Sequence, residues 1–263
     1  MFRYLRLLVS FARISFRDMS EFRLDFFTSI GHYLIYQAIF FVFWKSILGF
    51  TADSLGDWQF PELVILSSFT LMSMAAMLLF TGFVTLYQKV LTGSLDKYLC
   101  RPVSPLFGLL AEDMRIFAAF QQLVAGLLIV IPVCIYYELH LAWYNILAAT
   151  VLLIAGSFLI VLIQGCLSLS TFWFGDVSRI QGFVQVMGDF EKYPINLFPG
   201  WLQAYLTWIL PIGLISTCPV LVLLGKASPG YFLMAAFSLM CIWGIIFKKM
   251  WGVALTRYES FGG

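Results

Sequence analysis

Six stretches of this chain contain no Asp, Glu, Lys or Arg: residues 26–44, 63–88, 116–137, 139–175, 193–225 and 227–247. Each reaches the roughly 18 residues at which an apolar run can cross a bilayer as a helix. In lipid a lone segment must satisfy its backbone polar groups internally, so runs of this length imply helices. With 61% hydrophobic and 11% charged residues, too little polar surface remains for a soluble domain between them. The expected class is an all-α integral membrane protein in which residues 1–263 form one transmembrane domain. Approximate spans fall at 24–48, 62–88, 112–137, 145–174, 178–198 and 228–250.

Basic residues are retained on the cytoplasmic side, which sets the orientation. A cytoplasmic N-terminus places Arg3, Arg6, Arg13, Arg17, Arg23, Lys89, Lys97, Arg101, Arg115, Arg179, Lys248, Lys249 and Arg257 inside, 13 of the 16, and only Lys45, Lys192 and Lys226 outside. Both termini are therefore expected in the cytoplasm.

The fifth crossing has two readings, because residues 193–225 hold Pro194, Pro199, Pro211 and Pro219, and a straight helix does not run through so many prolines. In one, a span starts near Ser178 and residues 199–226 dip back into the outer leaflet as a re-entrant helical hairpin. In the other, residue 193 onward is itself the span, bent at Pro211. Asp189, Glu191 and Lys192 are external or deep in a pore in the first reading and cytoplasmic in the second.

The first twenty residues do not read as a cleavable signal peptide, since Arg3, Arg6, Arg13 and Arg17 interrupt any apolar core. On a helix those arginines fall within an arc of roughly 80°, opposite Leu5, Leu8, Phe11, Ala12 and Phe16, the geometry of an amphipathic helix lying on the cytoplasmic face of the bilayer near anionic lipid.

Five cysteines without C-x-x-C spacing indicate neither a disulfide framework nor a metal site, and His32 and His140 have no ligand-like neighbours. The chain contains no phosphate loop, no G-x-S-x-G elbow and no H-E-x-x-H, so no catalytic residue, bound cofactor or metal is expected on it. Acidic residues stand at span ends rather than within spans, unlike those of an ion-coupled carrier; Glu112, Asp113 and Arg115 read as a polar cuff at the head of the third span. Asp189 and Glu191, with Pro211 and Pro219, are the exception and are candidates for a pathway or external gate.

Between the second and third runs lies a polar island, residues 93–107, GSLDKYLCRPVSPLF. It is too short for a domain and carries more charge and proline than a hairpin connection needs. It resembles the cytoplasmic loop of bacterial type-2 ABC exporter permeases, whose pattern is G-x-[IL]-D-x-x-L-x-R-P-[VL]-[SN]-P-L-F. Residues 251–262, WGVALTRYESFG, resemble the terminal signature of that family, and residues 208–225, WILPIGLISTCPVLVLLG, are similar to its external hairpin. Three motifs in order cover the middle, outer segment and end of the chain.

The resemblance implies the permease subunit of an ATP-driven exporter in the bacterial cytoplasmic membrane, with 89–107 as a loop containing a short coupling helix. Gly93, Leu95, Asp96, Lys97, Leu99, Arg101 and Pro102 would be the ATPase-coupling residues. ATP and magnesium would sit on separate ATP-binding-cassette ATPase subunits. A second permease, identical or different, and membrane lipid complete the expected partners; no nucleic acid is expected. Lipid-like, drug-like or glycan-linked cargo is the class the family implies. The alternative from the residues alone is a secondary transporter or channel.

Overall fold

The computed structural model of this protein describes residues 4, 6, 7, 9, 10, 13, 23–50 and 54–258. Most of the expected interfacial helix at 1–20 lies outside the described residues. The remainder is an all-α membrane fold: five helices are long and apolar enough to cross a bilayer, and a bent helix pair makes a sixth candidate.

The first long helix, α1 (Arg23–Phe50), is about 42 Å long at 1.5 Å per residue and leaves most of its apolar side chains exposed, as a helix facing lipid should. A small antiparallel hairpin, β1 (Ser54–Leu55) and β2 (Trp58–Gln59), leads into α2 (Phe60–Leu78). Pro61 stands in the first turn of α2, where its missing N–H costs nothing, and the Glu62 carboxylate accepts the Gln59 backbone N–H at 3.1 Å and Lys226 Nζ at 2.7 Å. Trp58 is fully buried and donates its indole N–H to Asn196 Oδ1 at 2.8 Å, fastening the hairpin to the proline-rich segment.

Beyond α2 the chain breaks at Leu79 and Phe80, continues as α3 (Thr81–Leu91), forms the four-residue helix α4 (Asp96–Leu99) and returns as α5 (Pro105–Asp113) and α6 (Ile116–Tyr136). The two breaks face each other, and the Arg115 N–H donates to Leu78 O at 3.1 Å across them. The central helix α7 (Trp143–Leu169) packs against α2, α3 and the last helix, α12 (Pro229–Arg257), and its middle is mostly buried. Phe83 of α3 meets Phe247 of α12 edge to face at 4.9 Å beside it.

Between α7 and α12 the chain makes α8 (Thr171–Phe174), α9 (Ser178–Gly188), two 3-10 turns (Asp189–Lys192, Ile195–Leu197), α10 (Gly200–Ala204) running on as a π-turn (Tyr205–Ile209), a third 3-10 turn (Ile212–Leu214) and α11 (Thr217–Leu223). The limbs 200–209 and 212–223 meet at 73° next to Pro211. At 1.5 Å per residue they span about 15 and 18 Å, so neither alone crosses an apolar core of about 30 Å. Gly156 lets α7 touch this elbow: a Cβ there would stand 2.4 Å from Leu214 O, a separation that no side chain tolerates.

Candidate functional site

The polar island is built on a buried foot. Gly93 turns the chain out of α3 with φ of 68°, a left-handed conformation that glycine adopts without the strain of a side chain. Leu95 and Tyr98, three residues apart and hence on one side of α4, are both fully buried among Leu86, Val90, Leu109 and Ala254. The side chain of Leu95 therefore anchors the loop and is closed to any partner.

Three cations surround the Tyr98 ring: Lys89 Nζ at 4.9 Å, Lys97 Nζ at 4.8 Å and Arg101 Cζ at 5.8 Å from its centre. Lys89 Nζ also donates to the Tyr98 hydroxyl at 2.8 Å and pairs with Asp113 Oδ2 at 2.7 Å, while Thr85 Oγ1 donates to the same carboxylate. Above this layer Glu112 accepts Lys97 and, at 3.7 Å, Arg101. The hydrogen bond between them holds the Glu112 carboxyl below its ordinary range and raises the Lys97 ammonium above its own. Glu112 and Asp113 of the polar cuff thus join Lys97 and Arg101 of the island, together with Lys89, in one network around Tyr98, and Arg115 stands outside it.

The end of the chain reaches the same place. The Tyr258 hydroxyl donates to Gly93 O at 3.3 Å, and desolvation together with the neighbouring Asp96 pushes it up to about 12. Its ring lies edge-on to Phe172 at 5.9 Å, and Arg257 stands 5.9 Å over Trp173. Tyr4 packs against Phe107 at 4.7 Å and accepts the Ser104 N–H at 3.4 Å. Among the residues facing outward are Leu91, Lys97, Leu99, Cys100, Arg101 and Pro102.

Of the seven island residues named from the sequence, Lys97, Leu99, Arg101 and Pro102 are exposed, Gly93 and Asp96 are half-buried under Tyr258, and Leu95 is buried. Tyr98 and Tyr258 were missed as organising residues. Their signal was an aromatic ring between Lys97 and Arg101 in one motif and beside Arg257 in the other.

The second polar feature lies inside the bundle. Glu191 is only 3% exposed. Its carboxylate accepts Ser73 Oγ at 3.4 Å, and its backbone carbonyl accepts Thr70 Oγ1 at 3.1 Å. Ser67, Thr70 and Ser73 repeat every third residue along the middle of α2, and Gln37, near the middle of α1, donates to Ser67 and, at 3.4 Å, to Ser68. Lys192 turns to Asp189, which is exposed, leaving Glu191 without an ion-pair partner among the described residues. Beside Glu191 is a cavity of about 180 Å³ lined by Gln164, Gln185, Asp189, Met74 and Ile212, among others. Gln181 of α9 donates to the backbone carbonyl of Gln164, one of the wall residues, at 2.9 Å and to Ser168 Oγ at 2.8 Å. Pro211 and Pro219 are both buried in the elbow that follows and carry no polar group toward the cavity.

A family model described as ABC-2 family transporter protein matches residues 34–262. No curated protein matches the chain.

Proposed function

From the premise that this chain belongs to the ABC-2 transporter family, we propose that it is the permease subunit of an ATP-driven exporter, forming half of a translocation pathway and working through a separate ATPase. One observation carries the coupling part of this reading: the island has a rigid foot, Leu95 and Tyr98, and an exposed crown, Leu99, Arg101 and Pro102. A buried tyrosine ringed by cations and a strap from the distant Tyr258 hold this loop more firmly than a plain connection between two helices requires. A loop that must transmit force requires such firmness, because a docking element has to be stiff relative to the helices it moves.

On this reading the ATPase subunit binds ATP and magnesium and presses on the crown. The push passes through α3 and α5 to α2 and α6 across the paired breaks, and through Tyr258 to α12. Two permease chains, identical or different, face each other in the bacterial cytoplasmic membrane with both termini inside. The seam of Gln37, Ser67, Thr70, Ser73 and Glu191 lines this chain's half of the path, with the 199–226 hairpin as its external closure. Lipid-like, drug-like or glycan-linked cargo is the class this reading carries.

Co-expression with the cell's ATP-binding-cassette proteins, followed by affinity purification of this chain, tests the proposal. A cytosolic ATPase should co-purify, and ATP hydrolysis should depend on it. Hydrolysis by the isolated chain, or a native membrane that yields no ATPase partner, contradicts it.

A further inference from the structure

A crevice of about 390 Å³ opens between α2, α6 and α7 on the side away from the Glu191 seam. Its walls are Phe69, Ala75, Ala76 and Leu79 of the α2 segment, Ala119 and Leu123 of α6, and neighbouring apolar groups of α7. The room exists because small residues stand where α2 and α6 would otherwise meet side chain to side chain. The hydroxyl of Thr150 lies at its wall, and that group already donates to Ile146 O at 2.8 Å, so nothing there calls for water. From Phe69 to Leu79 the crevice runs about 15 Å at 1.5 Å per residue. Empty, such a groove would forfeit the packing contacts of its lining.

Its inner end lies at the paired helix breaks. Ile116 lines the crevice, and Arg115, the residue before it, is exposed and has no ion-pair partner among the described residues. Arg115 is also bonded through its backbone to Leu78, the residue before Leu79 of the crevice wall. Counting basic residues puts this end in the cytoplasmic leaflet, where anionic head groups are concentrated. An exposed arginine one residue from the inner end of a dry apolar groove, without an ion-pair partner among the described residues, matches one chemistry, a negative head joined to a hydrocarbon tail.

We propose that this crevice holds one acyl chain of an anionic phospholipid of the cytoplasmic leaflet, with the phosphate on Arg115. The site binds at the joint between α2 and α3 and between α5 and α6, so its occupancy stiffens the hinge between the island and the spans. The binding itself does not depend on the ATPase reading.

Native mass spectrometry of the full chain, released from nanodiscs of equal phosphatidylglycerol and phosphatidylcholine with oleate added, measures the retained lipid. The wild-type chain should keep one phosphatidylglycerol in preference to phosphatidylcholine. Arg115→Gln, an exposed change that cannot disturb the core, should abolish the head-group preference. Leu123→Trp fills the groove from its partly exposed rim and should reduce retention of both lipids at least several-fold; Lys248→Gln, another exposed basic residue, should change neither. Equal retention of the two lipids by the wild-type chain, retention unaffected by Leu123→Trp, or selectivity lost equally in Lys248→Gln would each overturn the site. So would oleate held in preference to phosphatidylglycerol, which would identify a single-chain anion as the occupant.

Discussion

Arg101 Nη1 stands 3.7 Å from Glu112 Oε2, so the arginine of the island is held by an internal carboxylate and is still more than half exposed. A contact this long and wet contributes no more than about 1 kcal/mol. Arg101→Glu therefore leaves the protein inserted and folded, although it sets two carboxylates side by side. If the crown docks an acidic partner surface, the variant loses ATPase co-purification and export, since a like charge at a partly desolvated contact costs several kcal/mol. The double variant Arg101→Glu with Glu112→Gln separates the two effects. It removes the internal like-charge contact, keeps an acceptor for Lys97 and should remain export-dead; recovery of export would show that Arg101→Glu acts only through its repulsion of Glu112.

Lys89 behaves differently despite lying only twelve residues before Arg101, the charge of the crown. Its side chain is 14% exposed, and its ammonium is paired with Asp113 at 2.7 Å and bonded to the Tyr98 hydroxyl. Lys89→Met removes both contacts and leaves Asp113 with only Thr85, a loss of about 1–3 kcal/mol. The expected result is a lower melting temperature and a lower membrane level, with ATPase binding per folded molecule unchanged. Weakened binding at unchanged stability would instead place Lys89 on the docking surface.

Long uncharged runs made the all-α membrane class legible from the sequence, because the bilayer enforces helix wherever polar groups are absent. The breaks at Leu79 and Met114 were not legible. Residues 63–88 read as one uncharged run, since a break that is repaired by a backbone hydrogen bond between Arg115 and Leu78 leaves no proline or glycine at the joint. The candidate site was legible as a motif, but its division into foot and crown was not. Leu95 and Leu99 look equivalent in a string, and only the packing of α4 against α3 and α5 buries one and exposes the other.

Gly156 offers a test of the contact between α7 and the elbow. Any side chain there collides with backbone rather than with a flexible side chain, the nearest atom being Leu214 O at 2.4 Å. Gly156→Ala should cost about 1–3 kcal/mol through overpacking and displace the 212–214 turn. Gly182→Ala, where no neighbour approaches within 4 Å, should be neutral or slightly stabilising. Thermal unfolding of the two variants in the same detergent decides the matter; equal melting temperatures would mean that the elbow yields freely.

The Lys97–Glu112 pair predicts a pH window. Glu112 titrates below its ordinary 4.5, so its contribution is complete above that value and is lost as pH falls through its lowered folded value. Lys97 titrates above its ordinary 10.5, so its contribution is complete below that value and is lost as pH rises past its raised folded value. The stability difference between the wild-type chain and Glu112→Gln should be flat across neutral pH and vanish on the acid side below 4.5. A difference that already fades near neutrality would assign the stabilisation to another group.

Glu191 supplies the sharpest test of the proposed pathway. A carboxylate that is 3% exposed and has Ser73 Oγ at 3.4 Å as its side-chain partner is costly to bury, and no cation among the described residues forms an ion pair with it. Its role in stability is therefore small or negative. Glu191→Gln keeps the shape and the acceptor for Ser73, so the variant should be at least as stable as the parent. Ser73 also donates to Thr70 O at 2.7 Å, so even Glu191→Leu leaves no orphaned hydroxyl. If the residue lines the path, both variants fold and co-purify with the ATPase, yet export falls by about tenfold or more, equivalent to at least about 1.4 kcal/mol on the transport barrier. Export at the parent rate in both variants would make the seam a packing device and remove Glu191 from the pathway.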